Sequence, residues 1–252
     1  MPQIKVLLAG ESWTSHTIHV KGFDSFTTSE YAEGASWLIE GLEANDVEVT
    51  FLRNHDAARD FPSTLDALKA YDVVLLSDIG SNTLLLSPDT FVRSQVQPNR
   101  CDLLREYVLQ GGGLGMIGGY LSFSGVDGKA RFQRTAVAEV LPVLMEDGDD
   151  RVEQPQGITP IVDMPEHPIL RGIDGEWPHF LGYNRLKPGP GGDVIARVDG
   201  DVFVAAGQFG RGRSATFASD CGPHWGPPEF VQWTHYARFW SNLVHWLARA
   251  DA

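Results

Sequence analysis

Short apolar runs alternate with amphipathic stretches through the first half of the chain, and each run ends in a polar loop. Ile4–Ala9, Val47–Leu52 and Asp72–Ser77 are such runs, and Leu114–Ile117 is a fourth inside the glycine-rich stretch Gly111–Gly125. Near-continuous apolar character over five or six residues predicts strands buried on both faces. Between them, Glu30–Leu42 carries Tyr31, Ala35, Leu38, Ile39 and Leu42 near helical spacing, with Thr27 and Glu30 fitting a capping box at its start. Leu65–Ala70 predicts a short helix, Asp89–Val92 a helical turn, and Cys101–Gln110 a helix burying Leu103, Leu104, Tyr107 and Val108. Strands alternating with helices predict a right-handed, doubly wound parallel α/β sheet in one domain over residues 1–252.

The second half reads differently. Phe132–Leu141 looks helical and stops at Pro142, and from Met145 the chain turns acidic and loop-rich. Val194–Val198 and Val202–Ala206 flank Asp199-Gly200-Asp201, which predicts a late β-hairpin with an Asp-Gly turn. Gly210–Arg213 predicts a tight turn into the strand Ser214–Ala218. Val231–Arg249 predicts a long core-packing helix, with Trp233, Tyr236, Trp240, Leu243, Val244 and Leu247 at helical spacing.

The glycine-rich stretch has the layout of a strand feeding a sharp strand-to-helix elbow, a turn that lifts one side chain above the sheet edge. The lifted residue is Tyr120, not Ser or Cys. Gly113-Leu-Gly115-Met-Ile-Gly118 matches a dinucleotide pattern, but its glycines follow a helix-like segment and lie within the strand, the reverse of what that fingerprint requires. No phosphate-binding Lys-Ser/Thr pair follows the glycines, and no cofactor is expected.

Charge narrows the partners. The chain holds 20 basic and 33 acidic residues, a net charge of −13. That argues against nucleic acid, which needs clustered Lys and Arg. No apolar run reaches membrane-spanning length, and the N-terminus lacks a signal-peptide pattern. The expectation is a cytoplasmic protein that binds a small molecule and self-associates as a homo-oligomer. Cys101 and Cys221 stand far apart with no metal-ligand spacing.

Gly111–Gly125, Leu141-Pro142-Val143, Asp149–Glu153, His167-Pro168, Gly210–Arg213 and Asp220–Trp225 together resemble the putative glutamine amidotransferase family, within the class I glutamine amidotransferase-like superfamily. The chain is more distantly similar to ThuA-like trehalose-utilisation proteins. The resemblance implies a flavodoxin-like fold. It also implies a Cys at the elbow and a His-x-Glu pair after a late strand, where this chain has Tyr120 and Ser219-Asp220-Cys221. A phenol is a poor acyl nucleophile at neutral pH, so glutamine hydrolysis is not expected.

Loops that leave parallel strands at their carboxyl ends converge on one edge of the sheet. Glu11, Tyr120, Asp220 and His224 are therefore the candidate catalytic residues, and Trp13, His16, Asp78, Ser122 and Trp225 the candidate substrate contacts. Carboxylates beside Trp faces suit a carbohydrate-like metabolite. The alternative is a non-catalytic binding or assembly protein whose ancestral site is filled, with Tyr120 as the plug. Asp220 and His224 read either as an acid–base pair or as a turn network. His16 and His19, three apart, read either as a metal pair or as a solvated loop; no metal is assigned. Asp149, Asp150 and Glu153 read as a solvated charge run, with Arg151 pairing internally or across a subunit contact.

Overall fold

The structure, a computed structural model, describes residues 3–250. Its strands in chain order are β1 (Ile4–Gly10), β2 (Ser12–Lys21), β3 (Asp24–Glu33), β4 (Val47–Leu52), β5 (Val73–Ser77), β6 (Gly113–Ile117), β7 (Val143–Met145), β8 (Arg151–Ile158), β9 (Ile161–Val162), β10 (Phe180–Asn184), β11 (Leu186–Pro188), β12 (Gly192–Val198), β13 (Asp201–Phe209) and β14 (Gly212–Phe217). The helices are α1 (Ser36–Glu43), α2 (Asn54–Asp60), α3 (Leu65–Leu68), α4 (Ser81–Leu85), α5 (Pro88–Phe91), α6 (Arg100–Leu109), α7 (Pro228–Val231) and α8 (Tyr236–Leu247).

The main sheet has eight strands in the order β4-β1-β5-β6-β14-β13-β12-β9. The first five are mutually parallel, and the last three continue it antiparallel. β5 and β6 are buried at every residue, as their unbroken apolar runs require. The late hairpin forms as expected: Val198 pairs with Asp201, and Asp199 and Gly200 both take positive φ, the geometry of a tight Asp-Gly turn. This is the α/β, flavodoxin-like, doubly wound architecture expected from the strand–helix alternation.

Several expected elements change. The loop after β1 and the first four residues of the helix expected over Glu30–Leu42 form a two-stranded antiparallel hairpin, β2–β3, of ten residues per strand. The Thr27–Glu30 capping box does not exist, because both residues lie in β3. The helix begins at Ser36 and keeps Leu38 and Leu42 as its buried side. Phe132–Leu141 forms two 3-10 turns, Phe132–Arg134 and Ala136–Val140. The terminal helix is split into α7, which starts at Pro228, and α8. No α-helix follows β6 directly. Residues after Gly118 turn tightly and end in a 3-10 turn at Val126–Gly128, so the strand-to-helix elbow is replaced by a strand-to-turn exit. β7 ends at Met145 and the acidic segment after it leads into β8; these strands begin a further layer, in which β8 pairs with β10 and β7 with β11.

At the carboxyl ends of the parallel strands the backbones come very close. A Cβ on Gly10, at φ +123°, would meet the Ser77 carbonyl oxygen at 1.7 Å, and one on Gly118 would meet the Ala218 oxygen at 2.5 Å. Both contacts are to backbone, which cannot rotate away. Gly10→Ala should therefore destabilise the protein at the upper end of the about 1–3 kcal/mol typical of overpacking. Urea denaturation measures this, and an unchanged midpoint would mean that β1 and β5 do not end in such close contact.

Candidate active site at the carboxyl edge of the sheet

The exits of β1, β5, β6 and β14 surround one cavity of about 290 Å³. Its lining includes Glu11, Trp13, Asp78, Tyr120, Asp220 and His224, with Gly34, Gly222 and Pro223 completing the wall. Glu11 follows β1 at φ +47°, Asp78 follows β5 at φ +44°, and His224 stands at φ +154°. Three of the cavity's ionisable residues thus hold backbone conformations that suit glycine, strain of the kind that clusters at functional sites.

Glu11 is buried, and its Oε1 accepts a 2.5 Å hydrogen bond from the Ser77 hydroxyl. The backbone fixes it as well: its N–H donates to the Ser77 carbonyl and its carbonyl accepts from Gly34 N–H. Burial first, then the nearby Asp78 and Asp220 charges, push the Glu11 carboxyl up to about 8. Asp78 is pushed up to about 6 by burial and by Asp220, while Leu121 N–H donates to its Oδ1 at 2.6 Å. The Oδ1 atoms of Asp78 and Asp220 each lie 2.9 Å from the point a Gly119 Cβ would occupy, so the two carboxylates face each other across a gap that only glycine leaves open.

Asp220 and His224 form the second half of the site. Asp220 Oδ2 accepts from His224 Nδ1 at 2.8 Å and from Trp225 N–H at 3.0 Å. The hydrogen bond to Asp220 raises the His224 imidazole above its ordinary value, against the opposing effect of burial. The His224 ring packs edge-on against Tyr120, centroids 4.6 Å apart, and stacks on Trp225 at 5.4 Å.

Tyr120 is a clamped wall of an open cavity. Its hydroxyl donates to Glu153 Oε1 at 2.9 Å, and the Arg151 guanidinium lies 5.0 Å over its ring. Glu153 Oε2 accepts in turn from Trp225 Nε1 at 3.0 Å. Trp225 is buried and backs both rings. Ser122 is also buried: its hydroxyl donates to the Ile117 carbonyl and accepts from Asp78 N–H, so it braces the turn from beneath.

His16 lies elsewhere. It sits out on β2, exposed, with Nδ1 bonded to Ser29 Oγ at 2.8 Å. His19 is three residues further along the same strand, so the two imidazoles project from opposite faces. A shared metal is thereby ruled out for the pair, and no cluster of three metal-ligating side chains occurs among the described residues.

The charge run is split: Asp149 and Glu153 stay exposed, as a solvated face requires, while Asp150 is withdrawn from solvent. Asp150 is buried and accepts from Ser124 N–H, Gly125 N–H and Asn184 Nδ2, holding the turn after β6. Arg151 pairs internally with Asp149 at 2.7 Å. Glu153, Asp150 and Asn184 are the supports that sequence reasoning missed. Their one signal was three carboxylates around an arginine, a pattern equally common on surfaces.

With this geometry in view, the wider comparisons are informative. A model of the putative glutamine amidotransferase family matches residues 5–249. The chain belongs to that family. Among solved structures, cytoplasmic protein STM3548 of Salmonella typhimurium is 46% identical over 97% of this chain and 99% of that one, with a TM-score of 0.94. Cytoplasmic protein STM1381 of Salmonella typhimurium LT2 is 48% identical over the same shares, with a TM-score of 0.93. A ThuA-like protein of Parabacteroides merdae shares the fold at 13% identity, covering 99% of this chain and 91% of that one, with a TM-score of 0.55. No curated protein matches the chain. In this family member both described cysteines are buried. Cys221 lies beneath the cavity, 3.9 Å from Ser77 Oγ, and burial with the neighbouring Glu11 and Asp220 charges holds its thiol well above the usual range.

The buried Glu11 makes stability depend on pH. In the unfolded chain its carboxyl ionises near 4.5, whereas the folded protein holds the proton to about 8. The folded state binds the extra proton, so this group's contribution is most favourable below pH 4.5 and declines as pH rises through 8. Glu11→Gln should melt several degrees above the wild type near pH 8, with the difference closing toward pH 4. Equal melting temperatures across that range would show that Glu11 is not held protonated.

Proposed function

We propose that this protein binds a small, polyhydroxylated, carbohydrate-like metabolite in the carboxyl-edge cavity and acts on it by acid–base chemistry, not by thiol attack on glutamine. The observation that carries this is geometric: one open cavity is lined by a buried carboxyl, Glu11, whose titration burial and neighbouring carboxylates push up, and by an imidazole, His224, held by the Asp220 carboxylate. Groups whose environments push their titrations apart supply an acid and a base from neighbouring side chains. Glu11 is the proton donor. Asp220 accepts a hydrogen bond from His224 Nδ1–H, which leaves Nε2 to take a proton from a substrate hydroxyl or an acidic carbon–hydrogen bond. Asp78, between them, accepts hydrogen bonds from ligand hydroxyls.

The walls support the same reading. Trp13 offers a partly exposed indole face, and Tyr120 and Pro223 extend the apolar surface. Sugars present just such a mixture, hydroxyls at the rim and a carbon–hydrogen face. At about 290 Å³ the cavity lies at the small end of ligand sites, near 300 Å³, which suits one ring. A cavity left open beside Tyr120 favours this over a filled ancestral site. Tyr120 at the lifted position after β6 speaks against glutaminase chemistry, its hydroxyl committed to Glu153 and its ionisation raised by burial and by that carboxylate. A cytoplasmic location follows by analogy with the two Salmonella relatives.

Titration calorimetry against a panel of monosaccharides, sugar acids and polyols tests the ligand class. Asp220→Asn should weaken binding or turnover at least tenfold while leaving the melting temperature nearly unchanged, because Asn retains an acceptor for Trp225 N–H. A large stability loss without a binding defect would mark Asp220 as a structural turn residue. Purified protein should release no ammonia from glutamine. Release that disappears on Cys221→Ser or Tyr120→Phe would overturn the assignment.

A further inference from the structure

The β2–β3 hairpin leaves the cavity rim, with Trp13 at its base and Gly34 just beyond its end, and stands out from the body. Beyond its base almost every residue is exposed. Its attachments lie at that base, where Asn54 bonds Ser12, and Arg53 pairs with Glu33. An isolated two-stranded hairpin is at best marginally stable in water. This one also presents large apolar groups: Phe23 at the tip is fully exposed, Ile18 and Val20 are 71% and 72% exposed, and Phe26 is half-exposed. Ile18 and Val20 project from one face, while Phe26 projects from the other, stacked on His19.

We infer that this arm is an interface with a second copy of the same chain, the two arms packing on each other about a two-fold axis. Charge selects the partner. The molecule carries −13 overall, yet residues 13–29 contain one Lys and one Asp, so they are formally neutral. Two copies can meet there without the repulsion their bodies exert elsewhere. The edges agree as well. Both long strands have free hydrogen-bonding edges along the arm, with no proline within them and no bulge in their pairing, whereas edges that stay solvent-facing are ordinarily blunted by such devices. An antiparallel pairing of a strand with its own copy keeps identical patterns in register, as a two-fold contact requires.

Sedimentation velocity on the full chain, with hydrogen exchange of residues 13–29, tests this. The wild type should sediment as a dimer or a multiple of one, with slow exchange along the arm. The triple variant Ile18→Asp, Val20→Asp, Phe23→Asp touches none of the cavity residues. It should halve the particle mass and speed exchange in the arm, with an unchanged circular dichroism spectrum. A monomeric wild type with a fast-exchanging arm overturns the inference, and so does a variant that keeps the wild-type mass. Protection of a monomer's arm by lipid vesicles would assign the surface to a membrane and likewise overturn it.

Discussion

Backbone crowding where the parallel strands end governs the rest of this structure. β1, β5, β6 and β14 finish side by side, and glycines at positions 10, 118 and 119 let their exits pass within contact distance of neighbouring carbonyls and carboxylates. The chain must then leave the edge abruptly. It does so through Glu11 and Asp78, which accept positive φ, and through the tight turn after β6 that Asp150 holds by two backbone N–H groups. The ionisable side chains of these exits have nowhere to go except the shared space above the sheet.

Electrostatics follow from that geometry. Three carboxylates and an imidazole share one small cavity, and burial removes the water that would screen them. The group buried deepest among like charges, Glu11, keeps its proton, while Asp220 is matched to His224. The arrangement costs stability at neutral pH, a cost that a purely structural turn would have no reason to carry. Strained backbone and a raised carboxyl titration thus coincide in the same few residues, a combination that clusters at functional sites.

The layer built by β8 and β10 acts as a second scaffold. Glu153 holds the hydroxyl of Tyr120 and the indole of Trp225 at once, and Arg151, fixed by Asp149, covers the outer face of the Tyr120 ring. Tyr120 is thereby positioned by a segment over thirty residues away in sequence. The hairpin arm does the opposite: it draws little support from its own body, and its apolar surface faces outward.

The parallel half of the sheet was legible in sequence because strands buried on both faces must be apolar throughout, as in Val73–Ser77. The Asp199-Gly200 turn was legible because few other dipeptides accept positive φ twice in succession. That Glu11, Asp78, Tyr120 and Asp220 share an edge also follows from chain order, since parallel strands send their following loops the same way. The arm was not legible. Its exposed strands bury no face and leave no alternation, so the helical spacing of Leu38 and Leu42 runs on in sequence into β3, and His16 reads as a loop residue beside the cavity although it lies midway along β2. The roles of Asp150 and Glu153 were decided only in three dimensions. A carboxylate run looks the same on a solvated face as against a turn of unpaired N–H groups, and which it meets depends on a tertiary contact that no local pattern encodes.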